Sequence, residues 1–274
     1  MKIFFCIALL FTSVFGAENK NFMEEEKEWR EKRDQRLRSE EGWLTLAGLH
    51  WLREGENVLP LSKERAAVSS VTFVLREGKV MLKMLDGLGK ALQSDEAGNP
   101  DIVRLGELRL NVIKRGDRLG VRIKDPQSPT RVKFKGIDYF PSRRDYQVEA
   151  KFITYEKPKD VSVATVIDTP QAMKALGYVK FRLNNKELTL EPYIEEPDDK
   201  ELFYIFKDET SGKETYEAGR FLYSEMPKNG KVILNFNRSY NPPCALTKYS
   251  TCPLPPPRNW LSTKIEAGEK KYRH

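Results

Sequence analysis

The chain has 274 residues, 39% hydrophobic and 32% charged, with a formal net charge of +7. That is the composition of a globular protein long enough for one large core or two modest ones, and no segment beyond the first 17 residues approaches the length of a membrane span. The charge is local, because residues 104–144 carry twelve Lys and Arg against four Asp and Glu.

Residues 1–17, MKIFFCIALLFTSVFGA, combine one Lys, an apolar run of about a dozen residues, and small residues at Val14, Gly16 and Ala17. This is the pattern of a secretory signal peptide cleaved after Gly16 or Ala17, with an apolar run short of the roughly 20 residues that a spanning helix needs. The expectation is an exported protein, periplasmic or extracellular, with no transmembrane helix in the mature chain. Residues 22–41 contain neither Gly nor Pro and set Glu26 with Arg30 and Glu28 with Lys32 at i,i+4 spacing, which predicts a helix. Phe22, Trp29 and Leu37 form only a thin apolar stripe, so residues 18–41 read as an arm laid on the body.

Beyond residue 70 the hydrophobic period becomes two and turn signals recur at short intervals. Three hairpins are predicted: 71–75 with 79–85 around Glu77-Gly78, 108–114 with 119–124 around Arg115-Gly116-Asp117, and 178–183 with 187–191 around Asn184-Asn185. Further strands are expected at 132–134, 146–155, 161–167, 202–206, 216–223 and 231–236. With no βαβ alternation and no repeat, the expected fold class is mainly β, an antiparallel β-sandwich or barrel forming a single domain over residues 42–274.

Residues 235–257, NFNRSYNPPCALTKYSTCPLPPP, are rich in proline. Pro fixes φ and lacks an N–H, so this stretch is no helix interior or central strand but an ordered segment wrapped over the body. Once a leader removes Cys6, Cys244 and Cys252 remain, and an even pair in an oxidising compartment predicts a disulfide. Seven residues between cysteines is not a zinc spacing and the only imidazoles are His50 and His274, so no metal centre or cofactor is expected.

His50, the one internal histidine, lies in the apolar stretch Trp43 to Leu52 and is the candidate general base of an envelope hydrolase, the alternative to a ligand-binding protein, with Asp208 as its orienting or acidic partner. The competing reading is a core histidine bonded to backbone. Tyr216, Arg220, Asn237, Arg238 and Asn241 sit near strand ends and beside the proline-rich segment, where they can converge with Asp208 on a small polar or anionic ligand. They can equally build turns and cross-sheet pairs. Alternation also gives the strands at 108–124 a basic face, with Arg109, Asn111, Arg122 and Lys124 opposite Leu110, Val112, Val121 and Ile123. Such a face is either solvated or holds a polyanion. No nucleophile elbow, Gly-rich phosphate loop or HExxH helix is present, and neither the leader nor any motif favours nucleic acid.

Four stretches together resemble a bacterial family: EEGWLTLAGLHWLREGEN at 40–57, RGDRLGVRIKDPQSPTRVKFKGIDYFP at 115–141, DETSGKETYEAGRFLY at 208–223 and NRSYNPPCALTKYSTCPLPPPRNWL at 237–261. The resemblance is to domain of unknown function family 1684. It implies one unit over nearly all of the mature chain and supplies no activity, cofactor or catalytic residue.

Overall fold

The alternating stretches fold into strands whose sheets pair antiparallel throughout. A computed structural model describes residues 7–273, with side chains from residue 20 onward except Ala97. Residues 1–6, including Cys6, lie outside the described residues, as do the side chains of the rest of the expected leader. The chain begins with α1 (Ile7–Arg38) and continues through β1 (Leu46–Trp51), β2 (Gly55–Pro60), α2 (Lys63–Ala66), β3 (Ser70–Arg76), β4 (Lys79–Met84) and β5 (Gly87–Leu92). Next come β6 (Ile102–Leu105), β7 (Leu108–Arg115), β8 (Arg118–Lys124) and α3 (Pro129–Val132). The remainder holds β9 (Gln147–Val163), β10 (Gln171–Leu183), β11 (Lys186–Leu190), β12 (Glu201–Phe206), β13 (Arg220–Glu225) and β14 (Lys231–Asn235). Among the described residues no helix is long and apolar enough to cross a membrane.

The fold is mainly β. Two four-stranded sheets, β1-β8-β7-β6 and β2-β3-β4-β5, come from the first half of the chain. Leu59, Phe73 and Val80 of one pack on Leu110, Val112, Val121 and Ile123 of the other, the arrangement that period-two alternation produces when each sheet has one apolar face. The second half forms the sheet β11-β10-β9-β14 and the ribbon β12-β13. The run LFYIF in β12 has no polar alternation because the ribbon is covered on both sides. Leu202, Tyr204 and Phe206 join one core, and Phe203 and Ile205 join another with Cys252. None of these sheets closes into a barrel.

All three predicted hairpins form. The strand expected at 132–134 does not, because Pro129 sits at the first helical position, where its fixed φ starts the short helix α3. The strands expected at 146–155 and 161–167 are largely one strand, β9, whose pairing with β10 shifts register between Ala175 and Gly177. Gly177 serves that bulge: a Cβ there would lie 2.3 Å from the Ile153 carbonyl oxygen. The strand expected at 216–223 starts only at Arg220.

The arm lies on the body as expected, but with polar groups on its buried side. Phe22 and Leu37 are buried, and so are Glu26 and Arg33. Glu28 pairs with Lys32 at 2.7 Å on the exposed side. The pairing expected between Glu26 and Arg30 does not occur, since Arg30 Nη2 donates to Phe140 O and Ser142 Oγ.

The basic face of β7 and β8 is an internal junction. Arg109 bonds Glu40 and Glu41 at 2.8 and 2.7 Å, and Lys124 bonds Glu41 at 3.1 Å, all where the chain leaves α1. Arg115 pairs with Asp95 at 2.9 Å and donates to Thr251 Oγ1 at 3.0 Å, which joins the first half of the chain to the proline-rich segment.

Candidate functional site

The register of the β12-β13 ribbon sets Phe206 opposite Arg220, which brings Asp208 to the Arg220 guanidinium. The two meet at 2.8 Å with side-chain exposures of 1% for Asp208 and 0% for Arg220. Arg220 also donates to the carbonyl oxygens of Ile265, Ala267 and Glu269. Asp208 Oδ1 accepts from Thr210 N at 2.8 Å, Thr210 Oγ1 at 2.6 Å and Ile265 N at 3.2 Å. The pair ties residues 265–269 to the ribbon and has no surface to offer a ligand. Gly268 completes the tie, with φ +77° and a backbone so close to Ser239 that a Cβ would lie 2.4 Å from its carbonyl oxygen.

His50 stands apart from this pair. It is half-buried on β1, opposite Val121, and among the described residues its side chain makes no hydrogen bond or ion pair. The general-base arrangement expected from His50 and Asp208 is not assembled, because the Asp208 oxygens are taken by Arg220, Thr210 and Ile265.

Asn237, Arg238 and Asn241 converge, but under α1. Glu26 Oε1 accepts from Asn235 Nδ2 at 2.8 Å and from Arg238 Nε at 2.9 Å. Asn237 exchanges hydrogen bonds with the Arg143 backbone at 2.9 and 2.8 Å. The Asn241 N–H donates to Glu269 Oε2 at 2.7 Å, and Arg33 Nε donates to Glu269 Oε1 at 2.8 Å. Burial first, and Glu269 second, raise the phenol of Tyr139 beside this cluster. These residues fasten the arm to the body.

Tyr216 belongs to a third place, the loop that carries both cysteines. Its hydroxyl donates to Cys244 O at 3.3 Å. Cys244 and Cys252 are free thiols, so the expected disulfide is not formed in this structure. They are neighbours nonetheless, with the Cys244 N–H donating to Cys252 Sγ at 3.2 Å. Short 3-10 turns at Pro243–Ala245 and Pro257–Asn259 let the loop fold tightly, each opening on a proline with fixed φ.

Beside this loop lies an open cleft of about 510 Å³. Leu46 and Ala47 of β1 form one wall, residues 128–130 at the start of α3 another, and Cys244 with residues 246–249 the third. Polar residues of its lining include Ser128, Thr130, Thr247, Tyr249 and Lys248, whose ammonium stands 5.3 Å from the centre of the Tyr249 ring. Sequence reasoning did not single out these residues. Ser128-Pro129-Thr130 and Thr247-Lys248-Tyr249 look like ordinary loop composition, and only the fold sets them face to face.

The model of the family described as "Protein of unknown function (DUF1684)" matches residues 132–270. The chain belongs to DUF1684. The match takes in α3's last residue, β9 to β14 and the whole proline-rich segment, while the stretch at 40–57 lies outside it. A solved structure with similarity to the chain is the solution NMR structure of an uncharacterized protein from Haloarcula marismortui. It is 33% identical, with 51% of this chain and 78% of that one covered, and has a TM-score of 0.44. Comparison with curated proteins gives no match.

Proposed function

We propose that this DUF1684 protein is exported and binds a small molecule with a carboxylate or phosphate at one end and an apolar body at the other, in the cleft between β1, α3 and the cysteine loop. One observation carries the reading: Lys248 lines the cleft as an exposed cation without an ion-pair partner among the described residues. Hydroxyls from Ser128, Thr130 and Thr247 supply hydrogen bonds, while Leu46, Leu246 and the Tyr249 ring supply apolar wall. A cleft of about 510 Å³ is of small-molecule size. Prolines hold the cysteine loop in one conformation, which lowers the ordering cost of binding. Export rests on the leader pattern of residues 1–17.

A thermal-shift screen of carboxylates and phosphate esters is expected to give a stabilising compound, with Lys248→Ala weakening its affinity about tenfold, the loss of one charge-assisted contact. A compound that binds wild type, Lys248→Ala and Thr130→Val equally well is not in this cleft. Mass spectrometry of the protein recovered from its native cells tests export: the expected N-terminus falls at residue 17 or 18, and an intact Met1 contradicts it.

A further inference from the structure

Each wall of the cleft is tied to the last two turns of α1. Leu37 is 1% exposed and packs with Leu44, Phe134 and Leu246, and Leu246 is itself a residue of the third wall. Leu44 leads directly into Leu46, which opens the first wall. The second wall is fastened from both sides: Arg131 Nε donates to Arg38 O at 2.7 Å, and Arg38 Nη1 donates to Phe134 O at 2.9 Å. Arg33 donates to Asn241 O at 3.1 Å, where the chain enters the cysteine loop.

These ties leave little slack. A Cβ on Gly42 would lie 2.5 Å from Arg36 O and 2.7 Å from Leu37 O, so the chain turns from the helix into β1 with no room to spare. Thr45 O accepts from Asp125 N at 2.7 Å and Asp125 O from Ser128 N at 2.9 Å, which links the first wall to the second. The arm itself is held mainly by polar contacts. Glu26 bonds Asn235 and Arg238, Arg33 bonds Glu269, and the buried apolar side chains of the arm among the described residues are Phe22 and Leu37. A segment with few buried apolar contacts opens at lower cost than the core beneath it.

We propose that the end of α1 positions the cleft, with Leu37 and Arg38 acting through Leu246 and α3, so that docking of the arm and binding in the cleft stabilise each other. The coupling rests on the reading of the cleft as the binding site. A compound that touches all three walls binds the docked arrangement better than the loosened one. By linkage it holds the arm down, and loosening the arm weakens its binding by the same factor.

The test is amide hydrogen exchange resolved by NMR in wild type, Leu37→Ala, Leu37→Met and Glu26→Ala, with and without phenyl phosphate, an anion with an apolar body. The amides of Leu46, Ser128 and Leu246 are hydrogen-bonded to Trp43 O, Asp125 O and Pro243 O and report one wall each. Glu26 lies about three helical turns before Leu37, so an effect of Glu26→Ala on these amides reports the arm and not the walls. All three amides are expected to exchange about tenfold faster in both Ala variants, while amides of β3 and β10 keep their wild-type rates. Leu37→Met keeps the apolar volume and is expected to restore the walls. Phenyl phosphate is expected to bind Leu37→Ala about tenfold more weakly than wild type and to slow exchange between Arg33 and Arg38.

Wall amides that keep wild-type rates in Glu26→Ala, or that speed up only together with β3 and β10, overturn the proposal whether or not phenyl phosphate binds. Equal affinity of wild type and Leu37→Ala, with chemical shifts moving at the cleft amides, also overturns it and leaves the binding reading standing. Shifts confined to amides outside the cleft contradict the binding reading alone, and exchange in the variants then decides the positioning role. Should Leu37→Ala fail to fold, Glu26→Ala decides.

Discussion

Asp208 and Arg220 are almost fully enclosed, so removing either strands the other's charge in the interior. Asp208→Ala is expected to cost about 3–5 kcal/mol, and Asp208→Ala combined with Arg220→Met clearly less. Urea unfolding followed by fluorescence measures both; a single mutant within about 0.5 kcal/mol of wild type contradicts the structural role assigned to the pair. The sequence places these residues, with Asn237, Arg238 and Asn241, close to strand ends, and that much is legible from turn chemistry. What it does not show is burial. A polar residue at a strand end reads the same whether it meets water or a carbonyl from residues 265–269. His50 is the reverse case, since its rarity in the sequence draws attention that its surroundings do not support.

Hairpins were legible because their turns demand particular backbone angles. Asn184 and Asn185 both take positive φ, 50° and 61°, which Asn tolerates better than most residues, and Glu77-Gly78 turns the same way. The helical arm was legible too, from its spacing of opposite charges. Its buried polar side was not, because Glu26 and Arg33 have the composition of a solvated face and acquire partners only when Asn235, Arg238 and Glu269 come up from the far end of the chain. Glu26→Ala leaves Arg238 Nε and Asn235 Nδ2 without an acceptor and is expected to cost about 1–3 kcal/mol. Hydrogen exchange in the second half of α1 should speed up accordingly. Glu28→Ala, which removes only an exposed pair, serves as the control and should leave stability close to that of wild type. Equal effects of the two substitutions contradict the docking described here.

The two halves of the molecule meet through the basic face of β7 and β8. The local excess of Lys and Arg is plain in the sequence, but its meaning is set by what docks on it: Glu40, Glu41 and Asp95 neutralise part of the charge, and Thr251 covers another part. The cleft arises at the same junction, from three segments that are far apart in the sequence, residues 46–47, 128–130 and 244–249, which is why no local motif announces it.

Alkaline pH probes this packing across the whole chain. Burial is the first cause that raises Tyr155 and Tyr223 to about 12, and burial raises Tyr139, Tyr193, Tyr204, Tyr216 and Tyr240 further. An unfolded tyrosine ionises near about 10. These groups therefore contribute their full stability below that pH and lose it as pH rises through 10 toward 12 and beyond. The melting temperature should fall steeply above pH 10, with tyrosinate absorbance appearing together with unfolding. Ionisation of all eleven tyrosines near pH 10 while the fold stays intact contradicts the burial.

The central claim is that function resides at the cleft between β1, α3 and the cysteine loop, and not at the polar clusters around Asp208 or beneath α1. Amide chemical-shift mapping with the strongest stabilising compound from the carboxylate and phosphate screen tests it most directly. The predicted result is a set of perturbed amides confined to residues 46–47, 128–130 and 244–249, saturating with the same affinity as the thermal shift. Perturbations centred instead on residues 208–220 or 235–241, with the cleft amides unmoved, contradict the claim.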